Sequence, residues 1–123
     1  MEKNLPFHRR LLFALNGIKS AFKTEASFRF QLMAAGAVVV AMVVLKATPA
    51  WWALILMTVG SVLAAELLNT SLEHVLDRLH PERHPTIKVA KDCAAGAVLV
   101  LSLISVGVFM AFLCATFLSS PQR

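Results

Sequence analysis

The sequence predicts an all-α membrane protein, in which an N-terminal amphipathic surface helix is followed by three transmembrane helices. Of its 123 residues, 58% are hydrophobic and only 15% are charged, whereas soluble domains average about 25% charged residues. Three long uncharged stretches are separated from one another by charged residues. A chain of this length provides one domain. Residues 1–123 are therefore expected to form a single membrane domain, which excludes large soluble catalytic folds.

Residues 7–29 are expected to form the surface helix. At about 100° per residue, the apolar side chains between Phe7 and Phe22 fall on one side and the lysines on the other. Basic amphipathic helices of this kind lie on a membrane surface. Glu25 interrupts the pattern because it falls on the apolar side, one turn before Arg29. Two interpretations stay open, a structural Glu25–Arg29 ion pair or a functional carboxylate.

Three transmembrane helices are expected after the surface helix. They cover residues 30–46, residues 49–79 and residues 87–118, and the second continues past the membrane as a cytoplasmic extension. Pro49 stands at the first helical position of the second helix, where proline is favoured. The third helix is the clearest span, because residues 94–118 carry no charge.

Basic residues are distributed unevenly around the three spans. Six precede the first span and four lie between the second and third, whereas Lys46 and Arg123 lie on the opposite side. Lysine and arginine concentrate in cytoplasmic loops. The N-terminus and the loop between the second and third spans are therefore predicted to be cytoplasmic, with the C-terminus outside. Anionic lipid headgroups explain these charges better than nucleic acid, so no nucleic-acid partner is expected.

A polar stripe follows the second apolar stretch. Glu66, Asn69, Glu73 and Asp77 are spaced by three, four and four residues, which places them on one helix face. Carboxylates one turn apart repel each other, so the stripe requires a nearby cation, a divalent metal or solvent. A solvated face remains an alternative for Glu73 and Asp77. Glu66 follows 19 uncharged residues, and an ionisable residue in that position is predicted to be functional.

The start of the third span carries a second polar face, formed by Lys88, Lys91 and Asp92. Lysines at a membrane boundary that extend towards water are the alternative interpretation. If the two polar faces meet, carboxylates and a lysine surround one place, which suits a hydrated divalent metal and a nucleotide phosphate. The sequence contains no Walker A motif and no GxGxxG loop. A zinc site at His80 and His84 is disfavoured because no third soft ligand is close in sequence.

The segments ELLNTSLEHVLD at 66–77 and AKDCAAGAV at 90–98, with EASFR at 25–29, resemble the small bacterial integral-membrane lipid kinases, the family of diacylglycerol kinase and undecaprenol kinase. The resemblance covers most of the chain. It implies a homotrimer in the bacterial cytoplasmic membrane, with active sites between subunits. It also implies an ATP-dependent kinase that uses Mg²⁺ and phosphorylates the hydroxyl of a membrane lipid alcohol.

The resemblance also implies roles for individual residues. Glu66 would be the catalytic base that removes the proton from the lipid hydroxyl, and Glu25 and Glu73 would hold Mg²⁺. Lys91 would contact phosphate. The other expected ATP-binding residues are Asn69, Asp77, His84 and Asp92, and the expected lipid entrance is formed by Phe28 and Arg29. Whether Arg9 or Arg10 reaches ATP stays open.

The acceptor lipid is the finer question. FRFQ at 28–31 departs from the FRQE associated with diacylglycerol kinase, whereas HPTIKVAKDCAAGAV at 84–98 is closer to undecaprenol kinase. Diacylglycerol, giving phosphatidic acid, is favoured on family prevalence, with undecaprenol as the alternative. A small oligomeric proton-coupled transporter or channel using Glu66, or a purely structural bundle subunit, remains possible from the residues alone. Both leave Glu25 and the Lys91-Asp92 pair without a role.

Overall fold

The computed structural model describes residues 4–118, which form four helices. Helix α1 spans Phe7–Thr24, α2 spans Ala26–Val44, α3 spans Pro49–Leu79 and α4 spans Pro85–Phe117. No strand occurs within this described range. Helices α2, α3 and α4 are each long and apolar enough to cross a membrane, which confirms an all-α protein with three candidate spans. Arg123 and the C-terminus, on which part of the topology prediction depends, lie outside the described residues.

The predicted surface helix over residues 7–29 proves to be two helix segments. Helix α1 ends at Thr24, and Glu25 has an extended backbone with φ −111° and ψ 107°. The Arg29 guanidinium stabilises this break, because it donates hydrogen bonds to the carbonyl oxygens of Phe22 at 2.8 Å and Lys23 at 3.1 Å. Those carbonyls belong to the last turn of α1 and lack helical partners. The first membrane helix consequently begins at residue 26, four residues earlier than predicted.

The turn between α2 and α3 ends α2 at Val44, two residues before the predicted boundary. Lys46 adopts a left-handed backbone with φ 55°, a conformation more often taken by glycine. The amides of Lys46 and Ala47 donate to the carbonyls of Val43 at 3.2 Å and Met42 at 3.0 Å. These hydrogen bonds close the C-terminus of α2 and reverse the chain direction.

Helix α3 has the predicted bounds, with Pro49 in its first turn. Helix α4 begins at Pro85, two residues before the predicted start, and ends at Phe117. The earlier start follows from His84, which acts as the N-cap because its Nδ1 accepts a hydrogen bond from the Thr86 amide at 3.1 Å. A side-chain acceptor at this position satisfies an amide that the helix itself leaves unpaired.

The packing centres on the antiparallel pair α3 and α4, with α2 beside α3 and α1 contacting both α2 and α3. We call the two ends of this bundle the Lys46 end and the α1 end. At the Lys46 end, Met42, Ile55 and Phe112 form the buried core, and the ring centroids of Trp51 and Phe112 lie 5.6 Å apart. The α1 end holds the carboxylate-bearing half of α3, which positions the candidate site.

Candidate active site

Glu66 is buried at the α1 end, with 4% of its surface exposed. Its Oε2 accepts a hydrogen bond of 3.1 Å from the Ser27 hydroxyl in the first turn of α2. An ionised carboxylate removed from water requires hydrogen-bond donors or a cation. The residue predicted to be the catalytic base therefore lies between two helices, and a hydroxyl group is hydrogen-bonded to one of its oxygens.

Asn69 lies one turn beyond Glu66 on α3. Its Oδ1 is buried and has no hydrogen-bond partner among the described residues. A buried amide oxygen without a partner costs free energy, about 1–3 kcal/mol for typical polar groups. Such an atom marks a place where a cation or a hydrogen-bond donor from a ligand is needed. Asn69 was predicted to bind ATP, and this unsatisfied oxygen is consistent with that role.

Glu25 lies at the break between α1 and α2, half-buried, and faces α3. Its Oε1 is 3.6 Å from Nε2 of His74, the residue after Glu73. The Glu25–Arg29 ion pair left open by the sequence does not form, because the Arg29 guanidinium binds the carbonyls at the end of α1. The carboxylate is therefore available to a partner on the α3 side of the junction.

The donor chemistry at this junction fits Mg²⁺. Glu25 and Glu73 carry carboxylates, and Asn69 adds the unpartnered amide oxygen, so the nearby acidic and amide ligands are hard oxygen atoms of the type this ion prefers. No group of three His, Cys, Asp or Glu side chains converges within residues 4–118. Mg²⁺ commonly retains several waters and substrate phosphate oxygens, so one or two carboxylates suffice from the protein.

A second group of predicted residues lines a cavity of about 630 Å³ between the end of α3 and the start of α4. Asp77, His84 and Lys91 all border it. The Lys91 ammonium donates to Asp77 Oδ1 across the two helices, so the polar faces of α3 and α4 meet at this pair. The N-terminus of α4 borders the same cavity, and its partial positive charge favours an anion.

Asp92 and Lys91 are adjacent in sequence but have different partners. Its Oδ2 accepts a 2.6 Å hydrogen bond from Lys88, one turn earlier on α4. This pair is exposed, with 77% of the Lys88 side chain accessible to solvent. Lys88 also borders the cavity, so Asp92 lies at its edge rather than within its lining.

The predicted site residues thus form two groups along α3. Glu25 and Glu66 lie at the α1–α2 junction, with Asn69 and Glu73 following Glu66 along α3. The second group, Asp77, His84, Lys91 and Asp92, lies near the α3–α4 loop. Glu66 and Asp77 are 11 residues apart on one helix, which corresponds to roughly 16 Å. An elongated ligand is required to contact both groups. Phe28, which was predicted to form part of the lipid entrance, is buried within this chain, with 2% of its surface exposed.

Comparison with known proteins decides between the classes of function left open by the sequence. The family model of prokaryotic diacylglycerol kinase matches residues 12–113. The chain belongs to this family. It is a lipid kinase of the diacylglycerol kinase type, with ATP as cosubstrate. The predicted family resemblance is confirmed, and the transporter and structural-subunit alternatives are no longer favoured.

Individual relatives of this family member carry two different names. An undecaprenol kinase from Bacillus subtilis (strain 168) is 37% identical over 99 residues, which cover 80% of each chain. A diacylglycerol kinase from Haemophilus influenzae is 36% identical over 96 residues, 78% of this chain and 80% of the relative. A diacylglycerol kinase from Synechocystis is 38% identical over 95 residues, 76% of this chain but 54% of the longer relative. The names support a lipid kinase and leave its acceptor lipid as a separate question.

Two contacts in the candidate site were not predicted from the sequence. Ser27 and His74 each approach a predicted functional carboxylate, Glu66 and Glu25 respectively. Both residues lie inside the family-like segments EASFR and ELLNTSLEHVLD, yet their spacing alone does not identify a partner on another helix. Only the helix break at Glu25 brings the first turn of α2 against the middle of α3.

Proposed function

We propose that this kinase transfers the γ-phosphate of ATP to the hydroxyl of diacylglycerol, giving phosphatidic acid at the cytoplasmic membrane interface. The observation that carries the proposal is the buried Glu66 carboxylate, which already accepts a hydrogen bond from a hydroxyl group. A carboxylate in this environment is suited to accept the proton of an alcohol as that alcohol attacks phosphorus.

The residues around Glu66 have complementary roles in the proposal. Asn69 positions the reacting groups through its otherwise unsatisfied oxygen. Glu25 and Glu73 hold Mg²⁺, which when bound neutralises charge on the phosphates. Because the reaction relies on positioning and charge neutralisation, a small set of side chains is sufficient for it.

The nucleotide is proposed to occupy the cavity between α3 and α4, with its phosphates directed along α3 towards Glu66. Lys91 contributes a cation, Asp77 holds that cation in place, and His84 and Asp92 contact the nucleotide. The 630 Å³ volume falls within the range of small-molecule sites. Asp77 and Glu66 are about 16 Å apart, and ATP is elongated enough to extend from one towards the other.

The assembly is proposed to be a homotrimer, with the α1 end and the α3–α4 loop on the cytoplasmic side, where ATP is present. The unpartnered Asn69 oxygen and the small number of converging ligands are consistent with a site that a neighbouring subunit completes. Phe28 and Arg29 are proposed to border the lipid entrance. The basic residues of α1 and of the α3–α4 loop support this orientation.

Undecaprenol is the second candidate acceptor. The Bacillus subtilis relative, whose matched region covers 80% of each chain, is an undecaprenol kinase. The same proton transfer serves either alcohol. The test is phosphate transfer from labelled ATP by the purified protein in mixed micelles with Mg²⁺, comparing diacylglycerol, undecaprenol and no lipid. Faster labelling of diacylglycerol is the expected result. Faster labelling of undecaprenol would replace the proposed acceptor, and labelling of neither lipid would overturn the proposed function.

A further inference from the structure

Ser27 provides the hydrogen-bond donor that the structure shows on the Glu66 carboxylate. The Ser27 hydroxyl lies 3.1 Å from Glu66 Oε2, although the two residues are 39 positions apart in the sequence. Glu66 is almost fully buried, so few other groups can reach it. A buried carboxylate with one donor keeps a defined rotamer, whereas without that donor it is free to turn towards other polar groups.

We infer that Ser27 is a positioning residue for the catalytic base, fixing the orientation in which Glu66 receives the lipid hydroxyl. A carboxylate has two oxygens, and the hydrogen bond to Ser27 occupies Oε2. Oε1, which does not accept from Ser27, is then assigned to the acceptor hydroxyl. This inference rests on the proposed function, because it assigns Ser27 a role through Glu66 as the base.

The helix break explains why Ser27 reaches Glu66. Glu25 is extended and α2 begins at Ala26, so Ser27 stands in the first turn of α2 rather than near the end of a continuous surface helix. One short junction therefore carries both the proposed Mg²⁺ ligand Glu25 and the donor to the base. Their relative positions are set by a single backbone conformation, which links metal binding and base orientation geometrically.

The experiment compares Ser27→Ala with Ser27→Thr in the full chain, assayed in mixed micelles with saturating Mg²⁺. Ser27→Ala is expected to lower kcat about tenfold, a fraction of the 10²–10⁴ typical of a positioned base, with both KM values within about twofold of the parent. Ser27→Thr keeps a hydroxyl and is expected to restore at least half of kcat. The matched control is Ser61→Ala, since within residues 4–118 the Ser61 hydroxyl donates only to the Met57 carbonyl of its own helix, at 2.7 Å.

A double substitution separates positioning from a general structural role. In the Glu66→Asp variant the side chain is one methylene shorter, so its carboxylate is expected to lie beyond hydrogen-bond reach of the Ser27 hydroxyl. Adding Ser27→Ala to this variant is therefore expected to change its kcat less than twofold. Full additivity of the two effects, an unchanged kcat in Ser27→Ala, or no rescue by threonine would each overturn the inference. If the parent protein phosphorylates lipid but Ser27→Ala equals it, only the role of Ser27 fails. If the parent phosphorylates neither lipid, the proposed function itself fails.

Discussion

The two ends of the bundle bury different kinds of side chain. At the Lys46 end, Met42, Ile55 and Phe112 are at most 1% exposed and contact one another and neighbouring aromatic rings. At the α1 end, the buried residues include Glu66 and Thr70, and the Asn69 amide oxygen has no partner within the described chain. The first end is a packed apolar core, whereas the second contains a buried amide oxygen that is left for a ligand or a neighbouring subunit to satisfy.

This difference separates stability from chemistry along the same helices. Helix α3 begins in the apolar core and continues to the carboxylate stripe, so one rigid element supports both ends. A substitution at the Lys46 end is expected to lower the free energy of unfolding, and a substitution at the α1 end is expected to lower the rate of phosphate transfer. The following substitutions test that separation, in order of decreasing expected effect.

The largest effect is expected for Glu66→Gln. Glutamine retains the shape of the side chain but cannot accept the proton, so lipid phosphorylation should fall by at least about 10² to 10⁴. The thermal unfolding midpoint in the same micelles should remain close to that of the parent. Rates of labelled lipid formation and unfolding curves measure the two quantities. A variant with parental activity would remove Glu66 from the role of base.

The next effect is expected for Phe112→Ala at the Lys46 end. Loss of the ring opens a cavity beside Trp51 and Phe109, and such changes cost about 3 kcal/mol of stability, or about 100-fold in the unfolding equilibrium. The kcat of the folded fraction should change less than about twofold. Phe117→Ala is the matched control, because Phe117 is 60% exposed. Equal losses of stability in both variants would contradict the assigned core.

Glu73→Gln is expected to weaken the apparent Mg²⁺ affinity by at least about tenfold, because substitutions of residues that only support metal ligands already cost about 10- to 100-fold, while kcat at saturating Mg²⁺ falls less. The reason is the loss of one anionic ligand beside Asn69. Titration of Mg²⁺ in the lipid assay, together with Mn²⁺ binding followed spectroscopically in the presence of ATP, provides the measurement. An unchanged dependence on both ions would exclude Glu73 from the metal site.

The smallest effect is expected for Lys88→Gln. The Lys88–Asp92 pair is exposed, and exposed pairs one helical turn apart contribute little to stability. No measurable shift of the unfolding midpoint is expected. The comparison is Lys91→Gln, which removes the cation that joins α3 to α4 and should raise the KM for ATP. A larger loss of stability from Lys88→Gln than from Phe112→Ala would break the proposed separation between the two ends.

The apolar runs and the residues at helix starts made much of the fold predictable. Pro49 at a helix start and the uncharged stretch after residue 94 placed α3 and α4 closely. The break at Glu25 was missed, because its stabilisation depends on Arg29 reaching back six and seven residues to backbone carbonyls. Periodicity along one helix does not reveal such a contact.

The sequence predicted which residues belong to the candidate site, and the contacts that some of them make across helices were not predictable. Glu66, Asn69, Glu73 and Asp77 all lie on α3, so their spacing places them along one side of a helix that repeats its faces every three to four residues. Ser27 and His74 were missed because their contacts join different helices. The pairing of Lys91 with Asp77 rather than with its neighbour Asp92 likewise depends on how α3 and α4 pack.

Because α2 is short, the thickness of the bilayer is expected to affect the proposed kinase site. Its 19 residues give about 28 Å of helix, close to the roughly 30 Å hydrocarbon core. The Lys46 turn and Glu25 bound it at either end, so α2 has no apolar residues to spare. A thicker bilayer would draw these flanking residues inwards, and Glu25 would then approach hydrocarbon, where a carboxylate is costly. Hydrophobic mismatch would therefore act directly on the residue that is proposed to hold Mg²⁺.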